Sequence, residues 1–179
     1  MRDWNVVITV HTGEFGTARN ILKKLGPMAK TGFYNVLVMK VEDPIGFLET
    51  IHNLVTEDPH LLHILSRVVP ATKTFDFKTA DEFEENVTKA VLSWLPKIAD
   101  RSFHVRMHRR GLKTQLSSQI EEHLLDEELL RALEENGKSG EITFEDPDAI
   151  ISVETVGERA GLSLWTRDDL RRYPFLGMD

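Results

Sequence analysis

Residues 101–111 read Arg-Ser-Phe-His-Val-Arg-Met-His-Arg-Arg-Gly, and their alternation decides how the second half of the chain is understood. Phe103, Val105 and Met107 occupy every second position, with His104, Arg106 and His108 between them. A period of two belongs to a half-buried strand, so the apolar set is expected to face a core and the basic set, continued by Arg110, to face away from it. Gly111 ends the strand, Lys113 follows in a loop, and Ser117 stands where a helix would be capped. Basic side chains two strand residues apart are spaced by about 6–7 Å, comparable to the phosphate repeat of a nucleic-acid backbone. The N–H groups of a helix start near Ser117 and Ser118 also favour phosphate. Arg106, Arg109, Arg110 and Lys113 are therefore the candidate contacts to a polyanion, with His104, His108, Ser117 and Ser118 beside them.

Outward from this stretch the charge changes sign. The formal net charge of the 179 residues is −7, yet residues 101–120 hold five Lys/Arg and no acid. Residues 121–135 hold seven acids (Glu121, Glu122, Asp126, Glu127, Glu128, Glu134, Glu135) against Arg131, and read as a solvated helix face. Hydrophobic residues make up 41% and charged residues 28%, a globular composition. The absence of cysteine excludes disulfides, thiolate metal sites and thiol nucleophiles. No apolar run approaches the roughly 18 residues needed to span a bilayer, and Met1–Asn5 does not open a secretory signal. A soluble, cytoplasmic protein with no membrane association is expected.

Upstream, Trp4–Val10 reads as a strand, Thr17–Leu25 as a helix stopped by Gly26-Pro27, and Tyr34–Val41 as a second strand. Asp43-Pro44 opens a helix as N-cap and first residue, and Asp58-Pro59 restarts a helical segment. Residues 67–70 and 72–77 look extended, and Thr79 with Glu82 resembles a capping box for a helix ending near Pro96. Downstream, a helix from Ser117 ends around Asn136-Gly137, Asp146-Pro147-Asp148 is a turn, and Ala149–Val156 pairs with Leu162–Trp165 across Gly157–Gly161. The fold class is α+β. A boundary near residue 100 is expected, giving domains 1–100 and 101–179.

Catalytic motifs are scarce. Gly13-Glu14-Phe15-Gly16 lacks the Lys-Ser/Thr ending of a nucleotide loop and the spacing of a dinucleotide fingerprint, so a connecting turn is the reading. His60 and His63 are three apart but need further ligands to hold a metal. His104 and His108 share a strand face about 13 Å apart, too far for one ion. No cofactor or metal is expected.

Four ordered segments carry a resemblance: Ser102–Gly111, Leu116–Glu121, Asp146–Glu154 and Gly157–Leu164. Together they resemble a THUMP domain, an RNA-binding module of tRNA-modifying proteins. Thr31-Gly32-Phe33, Val38–Pro44 and Arg67–Pro70 resemble the N-terminal ferredoxin-like domain of the stand-alone THUMP proteins. The resemblance implies a ferredoxin-like α/β sandwich followed by a THUMP domain with a mixed sheet. It also implies a non-catalytic protein gripping the acceptor end of tRNA, an adaptor for an RNA cytidine acetyltransferase that makes N4-acetylcytidine, or for another tRNA-modifying enzyme. Two other readings stand beside it: an RNA-processing hydrolase using His104 and His108 as acid and base, and a scaffold binding only protein through its acidic helix and C-terminal tail.

Overall fold

The β-branched run near the N-terminus forms strand β1 (Val6–Val10) in the computed structural model, which describes residues 1–178. Helix α1 (Phe15–Leu22), strands β2 (Met28–Lys30) and β3 (Val36–Met39), helix α2 (Pro44–Glu57), a 3-10 turn at Pro59–His63 and strand β4 (Leu65–Pro70) follow. The sheet order is β2-β3-β1-β4, with every neighbouring pair antiparallel. This βαββαβ succession is the ferredoxin-like arrangement. Helix α2 starts as its sequence dictates: Asp43 Oδ1 accepts from the Gly46 N–H at 3.0 Å and Pro44 is the first helical residue. Ala18 and Leu22 of α1 and Phe47, Leu48 and Ile51 of α2 are buried, as are Val6–Ile8 and the whole of β3. Strand β2 was not expected; its three residues show no alternation, and it is a strand only because Met28–Lys30 pair with β3.

The second sheet begins with strand β5 (Lys73–Asp76). Helices α3 (Ala80–Leu92) and α4 (Leu95–Ile98), strand β6 (Arg101–His108), helix α5 (Ser118–Glu135), strands β7 (Gly140–Ile142), β8 (Ala149–Val156) and β9 (Arg159–Thr166), and helix α6 (Arg167–Arg172) complete it. The order is β5-β9-β8-β6-β7; β6 runs parallel to β7 and β8, and the other pairs are antiparallel. The expected alternation holds on the core side. Phe103, Val105 and Met107 join Ile151, Val153 and Leu162 beneath Phe83, Val87 and Val91 of α3 and Leu125, Leu129 and Leu133 of α5. Thr79 caps α3 by accepting from the Glu82 N–H at 3.1 Å, while Glu82 reaches back to the Lys78 N–H at 2.8 Å. The β8–β9 hairpin turns at Gly157, whose φ of 60° suits the first position of a tight hairpin turn. Gly140 lets β7 approach, since a Cβ there would lie 2.7 Å from the Leu133 side chain.

The boundary expected near residue 100 falls inside the second unit. Chain contacts divide the molecule into Met1–Thr72 with Tyr173–Gly177, and Lys73–Arg172 with Met178. The βαββαβ set is complete at Pro70. The next strand, β5, pairs with β9 (Lys73 opposite Leu162), and α3 lies over the second core, so 73–100 cannot belong to the first unit. The expected division missed this because β5 and its partner are far apart in sequence. Residues 173–177 are part of the first unit: the Tyr173 hydroxyl bonds the Glu49 carboxylate, and Arg67 Nε donates to the Gly177 carbonyl at 3.1 Å.

Candidate nucleic-acid interface

On the side of β6 away from the core, the expected row of outward cations is partly internal. His104 is 4% exposed; its Nδ1 lies 3.2 Å from the Val105 carbonyl and its ring centroid 5.2 Å from that of Phe144. Burial holds its imidazole below the usual histidine value. Glu154 sits opposite His108 in the β6–β8 register, almost fully buried. His108 Nδ1 lies 3.2 Å from one Glu154 oxygen and Arg110 Nη1 2.6 Å from the other. Arg110 is further fixed where its N–H donates to Thr155 Oγ1 at 3.0 Å and its carbonyl accepts from Gly157 at 2.8 Å. Arg106 is half-buried opposite Ser152. Arg109 is also half-buried, with Nη1 donating to the Gly111 carbonyl at 2.5 Å. An acid–base pair made from His104 and His108 would need both rings at a substrate surface, and His104 is not there.

The segment after β6 is the exposed part of the predicted site. Leu112 takes a left-handed conformation (φ 52°) and its carbonyl accepts from Gln115 and Leu116, each at 2.9 Å. Leu116 anchors this turn in the core, and Lys113, Thr114 and Gln115 stand in solvent. Ser117 caps α5 as expected, its Oγ accepting from the Ile120 N–H at 3.5 Å, with Ser118 the first helical residue. The structure thus brings Lys113 to the start of α5 beside Ser117 and Ser118, and ties His108 and Arg110 together through Glu154.

The acidic run is only in part the solvated face expected of it: Glu127, Glu134 and Glu135 are exposed, whereas Glu121, Glu122 and Asp126 turn inward. Val105 N–H donates to Asp126 Oδ1 and Met107 N–H to Glu122 Oε1, both at 2.8 Å. Strand β7 pairs only with residues 101–103 of β6, so beyond Phe103 two carboxylates one helical turn apart take the place of a neighbouring strand. Burial pushes the Asp126 carboxyl up to about 7. Glu121 is 4% exposed, and burial together with a hydrogen bond to Glu84 pushes its carboxyl up to about 7. Composition alone could not separate these inward acids from the outward ones; helical phase could.

A second basic surface escaped the sequence reading. Residues 11–40 hold Arg19, Lys23, Lys24, Lys30 and Lys40 against Glu14 alone. All five cations are exposed, and Arg19 and Lys23 line an open groove with Gly16, Asn20 and Met28. Lys30 Nζ lies 5.9 Å from the Phe15 ring centroid. The signal is a charge window like that at 101–120, in a stretch whose reading rests on its glycine loop, helix and strand patterns and not on its charge. The His60 and His63 rings are exposed with centroids 5.5 Å apart, and among the described residues no three His, Cys, Asp or Glu side chains converge as metal ligands. Among the described residues no helix is long and apolar enough to cross a membrane.

No family model and no curated protein matches the chain. Solved structures do match, at low identity. PH1313 from Pyrococcus horikoshii Ot3 aligns at TM-score 0.57 and 11% identity, covering 90% of this chain and 54% of that one. TrmN from Thermus thermophilus aligns at TM-score 0.57 and 17% identity, covering 90% of this chain and 44% of that one. A 4-thiouridine synthetase, solved with RNA and bound ATP, aligns at TM-score 0.50 and 14% identity, covering 92% of this chain and 42% of that one. The chain spans about half the length of these structures or less. The fold is THUMP-like, with a ferredoxin-like unit before it.

Proposed function

We propose that this protein binds RNA, and specifically tRNA at its acceptor end. The observation that carries the reading is the shared fold: nine-tenths of the chain superimposes on a synthetase solved in complex with RNA. Exposed cations support it in each unit, at Lys113 beside the start of α5 and at Arg19, Lys23 and Lys30 around α1. Arg106 and Arg109, half-buried, are expected to reach phosphate from the rim, while Arg110 and His108 act mainly by holding strand ends through Glu154. In the finer reading the protein is not itself an enzyme. It presents tRNA to an RNA cytidine acetyltransferase forming N4-acetylcytidine, with tRNA binding as its own chemistry.

Replacing Arg19 and Lys23 together by Gln removes two exposed charges without touching a buried ion pair. If each contacts a phosphate, tRNA affinity falls and the slope of log affinity against log salt flattens by about two. An unchanged slope in the folded variant would remove α1 from the interface. The adaptor part is tested separately, by following tRNA acetylation by a purified RNA cytidine acetyltransferase with and without this protein. A stimulated rate is expected; an identical rate would overturn the adaptor role and leave RNA binding standing.

A further inference from the structure

Helix α5 buries Glu121, Leu125, Asp126, Leu129, Ala132 and Leu133 along one stripe. At 100° per residue, Ile120 falls opposite that stripe and Leu124 about 40° further round, with Arg131 between them and Glu127 on the other side of Ile120. They are 61% and 47% exposed, so two large aliphatic side chains one turn apart stand on the solvent side, Ile120 at its middle and Leu124 towards one flank. The rest of that face is acidic. Glu127, Glu134 and Glu135 are exposed, and its cation, Arg131, is held by Glu128 and Glu135. His123 Nε2 lies 3.1 Å from Glu127.

We propose that this outer face of α5 docks a partner protein that presents an apolar pocket rimmed by Lys and Arg side chains. Charge selects that occupant. An acidic rim repels RNA and anionic lipid alike, and a second copy of the same face would set Glu127 and Glu134 against like charges. A protein pocket of opposite sign satisfies both the carboxylates and the aliphatic pair, which supplies the anchor residues of such a contact. The sheet face that carries Arg106, His108 and Arg110 is opposite the one on which α5 packs, over Phe103, Val105 and Met107, while Lys113, Ser117 and Ser118 border the docking face only at the N-terminal end of α5. The proposal deepens the adaptor reading and rests on it for its biological sense, since an adaptor needs a protein surface that its RNA does not cover.

The test is a photo-crosslinking residue at position 124 of the full chain, expressed in its native cells. The expected product is an adduct with a different protein. That protein, once purified, should bind the wild-type chain in a salt-sensitive way, and about tenfold more weakly when Ile120 and Leu124 are both replaced by Ser or Glu127 and Glu134 both by Lys. An adduct with RNA, an adduct with a second copy, no adduct, or binding indifferent to both double variants would each overturn the proposal. Titrating tRNA against the Leu124→Ser variant, more than one turn further along α5 than Ser117 and Ser118, separates the two readings, because tRNA affinity is expected to stay at the wild-type level. Loss of tRNA binding there would place RNA on this face and overturn the docking proposal. A wild-type chain that forms the protein adduct but binds no tRNA would overturn the RNA reading alone.

Discussion

Glu154 is 1% exposed, between His108 and Arg110, and through it these two residues, expected at a binding surface, belong to the framework. A carboxylate taken out of water needs its charge met, and Arg110 meets it at 2.6 Å. Replacing Glu154 by Gln leaves that guanidinium without its charged partner, and denaturant unfolding should register a loss of about 3–5 kcal/mol. For the same reason Arg110 is a poor position at which to test RNA binding, since its removal strands a buried carboxylate. Glu121 carries a pH signature. Its carboxyl is raised from 4.5 to about 7, so the folded state holds the proton more tightly than the unfolded state between those values. Its contribution to stability therefore falls as pH rises from about 4.5 to about 7. Asp126 acts in the same direction, and His104, held low by burial, in the opposite one below about pH 6.5. Glu121→Gln isolates the first contribution: the variant should match the wild type near pH 5 and exceed it near pH 8. Equal pH dependence of the two proteins would show that the Glu84–Glu121 pair carries no shifted proton.

At the scale of elements, the sequence was most legible where local chemistry is complete within a few residues. Asp43-Pro44 stated the start of α2, Thr79 and Ser117 stated the starts of α3 and α5, and the alternation of Phe103, Val105 and Met107 stated the core side of β6. Removing the cap by Asp43→Ala should lower stability by about 1 kcal/mol. Strand β7 was not legible, because Gly140–Ile142 is a strand only through pairing with β6. Nor was the use of Glu122 and Asp126 in place of a strand along β6, which depends on how α5 lies at the sheet edge. Native-state hydrogen exchange can see that arrangement directly. The Met107 amide should exchange markedly faster in Glu122→Ala, while amides of β8 change little; equal exchange at Met107 would mean that the Glu122 carboxylate does not hold it.

For the whole molecule, the division at 72/73 and the return of Tyr173–Gly177 to the first unit are facts of long-range pairing that no local pattern announces. The returning segment buries Phe175 and Leu176 and ties Gly177 to Arg67, so a chain ending at Arg172 should lose stability in its first unit, visible as an earlier thermal transition. The candidate site was half legible. Lys113 is exposed and Ser117 caps α5 as expected, the β6 cations are partly framework, and the α1 cations lie in a charge window that the local motifs of that stretch obscure. The central claim is that this fold grips the acceptor end of tRNA. It is tested most directly by titrating the purified chain against intact tRNA and against a stem-loop lacking the acceptor end, at low and physiological salt. The account predicts a preference for intact tRNA that survives at physiological salt. Equal, weak binding to both RNAs that vanishes as salt rises would contradict it, leaving the basic surfaces as charge without recognition.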